Sequence, residues 1–73
     1  MTTTARYVQL SIKLREEIAA GKYDDTGRIP SLTALARQEG LSLSSVQRAL
    51  DTLKHDGLIY TEPGRGIYVR RQA

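Results

Sequence analysis

The chain has 73 residues, 40% of them apolar, with a formal net charge of +3 and no cysteine. That length allows one domain with a small core, and neither a disulfide nor a metal-binding cluster is present to staple it. No apolar run approaches a membrane span, Met1-Thr2-Thr3-Thr4 has no signal-peptide pattern, and the lack of cysteine fits a reducing cytoplasm. The charge is unevenly placed: residues 1–40 hold six basic and five acidic side chains, and residues 41–73 hold five and three. After Glu62 come Arg65, Arg70 and Arg71 with no acid. Clustered basic charge suits a polyanionic partner, and solvated surface charge is the plain alternative.

In chain order, residues 1–5 read as a flexible N-terminus, 6–70 as the folded domain and 71–73 as a tail. Tyr7, Leu10, Leu14 and Ile18 recur at three- and four-residue spacing, which predicts a first helix from about Arg6, with Gly21 as its C-cap. Tyr7 is assigned to the core. Lys22 to Gly27 is a connector rich in turn formers. Pro30 then fixes the backbone before a short second helix, capped by Ser31, with Leu32, Leu35 and Ala36 on its buried side. That helix ends near Glu39-Gly40. Ser42 caps a third helix, which buries Val46, Ala49, Leu50 and Leu53 and closes at Gly57. Two helices joined by a short glycine-containing turn make a helix-turn-helix pattern. Leu58–Thr61 and Gly66–Arg70 alternate as two strands around a glycine turn.

Little in these residues supports catalysis. The only histidine, His55, lies one turn after Asp51, a spacing that predicts an exposed helix contact. Ser42, Ser44 and Ser45 have no nearby histidine to activate them, and the carboxylates lack metal-ligand spacing. Gly64-Arg65-Gly66 is too short for a nucleotide-phosphate loop and does not open a helix. No metal and no cofactor is expected.

Contact with double-stranded DNA fits better. On the third helix Ser44, Arg48 and His55 point away from the core stripe, and Ser45 and Gln47 flank them. Backbone N–H groups near Ser42–Ser45 face out along the helix dipole and suit a phosphate. Ser44 and Ser45 suit phosphate or base edges, Gln47 can pair with adenine, and Arg48 with guanine or phosphate. Gly64 and Gly66 allow a tight turn, from which Arg65 projects toward a narrow minor groove. A plain amphipathic helix followed by a plain hairpin is the alternative reading.

The chain resembles the winged helix-turn-helix DNA-binding domain of the GntR family of bacterial transcription regulators. The resemblance rests on Tyr7, Gln9, Leu10, Leu14, Arg15, Ile18 and Gly21, then on Gly27, Ile29-Pro30-Ser31, Leu35-Ala36, Ser42, Val46, Arg48-Ala49-Leu50 and Leu53. It closes with Gly57-Leu58-Ile59, Gly64, Gly66 and Tyr68-Val69. It implies a mainly α fold with a small β part: three helices, a C-terminal two-stranded β wing, and binding to a two-fold operator. The departures fall where the family reads DNA. The usual Glu-Arg pair after Pro-Ser is Leu32-Thr33 here, and two further family arginines are Leu43 and Gln47. Leu43 is expected at the core edge or against a thymine methyl.

The family normally carries a larger C-terminal domain that binds an effector and dimerises, whereas this chain stops at Ala73, as an excised domain or a free-standing small regulator. The start at Met1 is read as an intact N-terminus. The expected function is sequence-specific DNA binding by a bacterial regulator, most readily a repressor, acting in the cytoplasm at the nucleoid. The expected contacts are Ser31, Thr33, Leu43, Ser44, Ser45, Gln47, Arg48, Gly64 and Arg65. Lys54, Arg70 and Arg71 fit phosphate contact and solvated charge equally well. A homodimer is expected on DNA, with weak or no self-association in isolation. Two other readings stay open: an architectural or mobile-element accessory DNA binder, and a winged-helix protein-interaction module that would use exposed Leu32 and Leu43.

Overall fold

A computed structural model describes residues 5–70, so the expectations for residues 1–4 and 71–73 lie outside the described residues. Helix α1 spans Arg6–Ala19 and buries Leu10, Ser11 and Leu14. Tyr7 and Ile18, also on its apolar stripe, pack partly buried against the core. The Ser11 hydroxyl donates to the Val8 carbonyl at 2.7 Å, which lets a polar side chain sit among apolar ones. Gly21 ends the helix at φ 82°, a left-handed conformation that its missing Cβ permits. Its N–H reaches the Ile18 carbonyl and the Lys22 N–H reaches that of Glu17, so the last turn is closed by a Schellman motif.

Strand β1 is only Arg28–Ile29. Pro30 follows and offers no N–H to extend the ladder. Helix α2 spans Leu32–Glu39, with the Ser31 side chain accepting from the Ala34 N–H. Helix α3 spans Leu43–His55, with the Ser42 side chain accepting from the Ser45 N–H. Strands β2, Ile59–Glu62, and β3, Gly66–Val69, form the wing hairpin.

The hairpin is the two-stranded wing expected from the sequence, and β1 adds a third strand that the sequence reading does not contain. The sheet order is β1-β3-β2, all antiparallel, with Arg28 opposite Tyr68 and Tyr68 opposite Tyr60. Each strand buries one isoleucine: Ile29, Ile59 and Ile67. These meet Leu10 and Leu14 of α1, Leu35 of α2, and Val46, Ala49, Leu50 and Leu53 of α3. Because α3 contributes four of these residues and contacts both other helices and β2, its outward face is fixed relative to the wing.

Of two leucines, one keeps the side its helical spacing predicts and one does not. Leu32 is partly buried against the core, which removes it from any exposed apolar patch. Leu43 is 52% exposed, so the core-edge placement does not hold and the side chain faces outward at the start of α3. No helix among the described residues is long and apolar enough to cross a membrane.

Candidate nucleic-acid interface

The N-terminal turn of α3 places Leu43 and Ser44 on the surface beside the exposed Arg48, one turn further along. Ser45 is half-buried and bound up in the cap: its N–H donates to the Ser42 hydroxyl oxygen at 3.2 Å, and the Ser42 hydroxyl donates to Oγ of Ser45 at 3.0 Å. The expected row of outward N–H groups over Ser42–Ser45 is therefore one shorter, because capping satisfies the Ser45 donor. No acid lies in the first turn of α3, which leaves the positive end of its dipole uncompensated by local side chains.

Arg48 and Gln47 are both engaged before any ligand arrives. The Arg48 guanidinium lies 4.3 Å from the centroid of the Tyr7 ring. Gln47 donates from Nε2 to Oδ1 of Asp51 at 2.8 Å. Asp51 thus takes the partner one turn before it, in place of the contact with His55 one turn after it that the spacing predicts.

The wing tip is a tight turn in which the Arg65 N–H donates to the Glu62 carbonyl at 3.0 Å. Pro63 suits the second position of such a turn, and Gly64, at φ 77°, supplies the left-handed third position of a type II turn. The Arg65 side chain is 75% exposed, with Nη1 only loosely placed 3.9 Å from Oε2 of Glu62. Behind the tip stands Arg28, whose Nη2 donates to the Arg65 carbonyl at 2.8 Å.

An open cleft of about 470 Å³ separates α3 from this hairpin. Leu32, Leu50 and Ile67 give it apolar lining, and Ser31, Gln47, Lys54, Arg28 and Arg65 stand around it. The start of α2, the Gln47–Leu50–Lys54 side of α3 and the wing tip therefore flank one concavity. Ser31 and Thr33 are exposed at the α2 start, with Ser31 spending its hydroxyl oxygen on the cap. Of the residues named from the sequence, Ser31, Gln47, Gly64 and Arg65 line this cleft, whereas Ser44 and Arg48 lie on the adjoining face of α3.

Three acids elsewhere are held by cations. Glu39 pairs with Lys13 at 2.9 Å, Asp56 with Arg15, and Glu17 with Lys22 at 3.0 Å. Partial burial pushes the Glu17 carboxyl up, but hydrogen bonds from Tyr23 and Lys22 outweigh it and hold the group below its ordinary range. Burial, reinforced by Glu17, pushes the Tyr23 hydroxyl well above its ordinary value. Among the described residues, no group of three or more histidines, cysteines and carboxylates could hold a metal ion.

Two features escape the sequence. Arg28 gives no local signal, because its role depends on a pairing partner forty residues away. The stack of Tyr60 on Tyr68, with centroids 5.7 Å apart, also depends on strand register. The Gln47–Asp51 bond was open to view, since its spacing matches that of Asp51 and His55.

Residues 6–69 match the profile of the family described as "Bacterial regulatory proteins, gntR family". The chain belongs to the gntR family. An HTH-type transcriptional regulator of Rhizobium meliloti, RB1450, is 37% identical to this gntR domain over 68 residues, covering 93% of this chain and 28% of that protein. The HTH-type transcriptional repressor NagR of Bacillus subtilis is 34% identical over 65 residues, covering 89% and 27%. The domain thus spans less than a third of these curated relatives. Among solved structures, AraR(DBD) in complex with operator ORR3 superposes with a TM-score of 0.86 at 27% identity, covering 94% of this chain and 83% of that one. A GntR family transcriptional regulator from Listeria monocytogenes superposes at 0.89 with 26% identity, covering 99% and 63%. Three helices and a wing are the shared architecture.

Proposed function

We propose that this gntR-family domain binds double-stranded DNA sequence-specifically, within a bacterial regulator that represses transcription by blocking its operator. The observation that carries the proposal is the single cleft flanked by α3, the start of α2 and the Arg65-tipped wing. A helix in the major groove and a wing in the neighbouring minor groove leave one sugar–phosphate strand between them, which such a cleft can accommodate. Ser44, Ser45, Gln47, Arg48 and the exposed Leu43 then face base edges or adjacent phosphates. Ser31 and Thr33 stand near phosphate, and Gly64 and Arg65 reach the minor groove. NagR, named a repressor, and AraR(DBD), solved on an operator, support the same reading.

The role is binding rather than catalysis, and its place is the bacterial cytoplasm, where the DNA is. Two copies on a two-fold operator engage half-sites about 34 Å apart or multiples of that distance. With Leu32 packed against the core, the protein-interaction reading loses half of its apolar patch.

In vitro selection of the 73-residue chain on random duplex DNA, at two salt concentrations, tests the proposal. An enriched motif with salt-sensitive affinity is the expected result. Salt-sensitive binding without enrichment would replace it with an architectural role, and absence of binding at both salts would overturn it for this chain.

A further inference from the structure

Arg28 makes more contacts with the wing than a surface arginine on a two-residue strand needs. Its Nη2 donates to the Arg65 carbonyl at 2.8 Å, across thirty-seven residues of sequence. Its guanidinium also lies 5.6 Å from the centroid of Tyr68, the residue directly opposite it in the sheet. Tyr68 stacks in turn on Tyr60, and Arg70 stands 5.5 Å from the Tyr60 ring. The outer face of the sheet is therefore one ladder, from Arg28 through two tyrosines to Arg70.

Gly66 makes room for the contact. A Cβ built there would lie 2.8 Å from Nη2 of Arg28, and the residue's φ of 130° also favours glycine. The Arg28 backbone is itself anchored, its N–H donating to Oγ1 of Thr26 at 3.2 Å. The Arg65 peptide is thus held on both sides, its N–H by Glu62 and its carbonyl by Arg28. Only the Arg65 side chain is left to project.

Resting on the DNA-binding reading above, we infer that Arg28 is a positioning residue for the minor-groove contact: it locks the Arg65 peptide so that the Arg65 side chain is presented from a rigid wing. An arginine on a fixed backbone loses less conformational freedom on entering a narrow groove than one on a loose tip. The preference for A-tract DNA, whose narrow minor groove carries enhanced negative potential, therefore depends on Arg28 through Arg65.

The test uses the 73-residue chain and two labelled duplexes of equal length at low salt, one with a central A-tract and one G·C-rich. The wild-type chain is expected to prefer the A-tract duplex by about fivefold. Arg65→Ala removes that preference. Arg28→Met keeps the stem over Tyr68 but loses the donor, and is expected to remove it too. Its affinity for the G·C-rich duplex falls too, because Arg28 also stands at the cleft, but by less than its affinity for the A-tract duplex. The double variant shows no further loss of preference, because Arg28 acts through Arg65.

A DNA-free readout runs beside this one. The ¹⁵N heteronuclear NOEs of Gly64, Arg65 and Gly66 should fall in Arg28→Met. If Arg28→Met does not fold, Arg28→Gln, two atoms too short to reach the Arg65 carbonyl, carries both measurements. A retained A-tract preference, an equal weakening on both duplexes, or unchanged wing NOEs would each overturn the inference. Failure of the wild-type chain to bind either duplex would instead bring down the DNA reading, and the NOEs would tell that failure from a failure of the brace.

Discussion

The guanidinium of Arg48 rests 4.3 Å from the centre of the Tyr7 ring, so the exposed face of α3 is tied to the first turn of α1. Tyr7 does pack against the core, but its ring face also serves as the platform for an arginine that faces the proposed DNA. A double-mutant cycle on Tyr7→Leu and Arg48→Ala, read by urea unfolding, should return a coupling of about 0.5–1 kcal/mol, typical of a cation–π contact near the surface. Zero coupling would mean that the two groups are merely adjacent.

Asp51 places a carboxylate on α3, one turn beyond Gln47, and holds its amide at 2.8 Å. Asp51→Ala should cost less than about 0.5 kcal/mol in stability, the scale of an exposed helix pair. On the DNA-binding proposal it should tighten binding to any duplex, because it removes an acid from the proposed DNA face, and broaden the base preference at the position that Gln47 is proposed to read. Thermal melts together with repeated duplex selection check both halves.

Leu43 and Gln47 stand where the family's pattern has arginines. The double substitution Leu43→Arg, Gln47→Arg should shift the selected motif toward guanine and steepen the salt dependence, since each added cation can reach guanine or phosphate. An unchanged motif would mean that these positions do not set specificity.

Glu17 should contribute to the acid dependence of stability. Its folded-state pKa is depressed, so its contribution is fully present above the ordinary glutamate value of about 4.3 and is lost as pH falls through the lower folded value. Unfolding of Glu17→Gln, followed from about pH 5 down to about pH 3, should therefore fall less steeply with acid than that of the wild-type chain. Parallel curves would exclude Glu17 as a source of the slope.

Leu53 is fully buried in the last turn of α3. Truncation to alanine should cost about 2–4 kcal/mol, a large share of what a domain of this size possesses. Circular dichroism is expected to show a melting transition shifted far down or lost at room temperature.

The helices are legible in the sequence because each combines an apolar stripe of period near 3.6 with a serine cap or a closing glycine. Ser31 and Ser42 cap as their positions suggest, and Gly21 and Gly57 follow the ends of α1 and α3. The wing is legible through Pro63-Gly64 and the alternation around it. Strand β1 is not, because Arg28–Ile29 is too short to carry a period and exists only through pairing with β3. For the same reason Arg28 is invisible as a wing residue. Asp51 shows a different limit: Gln47 and His55 lie equally far from it along the helix, and spacing alone cannot choose between them. Leu32 packs against the core as its spacing with Leu35 and Ala36 suggests, whereas Leu43 leaves the core edge and faces outward, a placement that tertiary contact decides.

The pairing of Arg28 with Tyr68 also bears on the order of folding. The three helices can form from local contacts, whereas β1 meets β3 only after some forty intervening residues have been drawn together. The entropy of that closure is repaid only when the strands register, so β1 should join the sheet after the individual helices have formed. In pulsed hydrogen exchange during refolding, amides of α1 and α3 should gain protection first. The Val69 amide, which donates to the Gly27 carbonyl at 2.8 Å, should be among the last. The wing then becomes competent only once the rest of the domain is in place, and a nascent or partly unfolded chain lacks it.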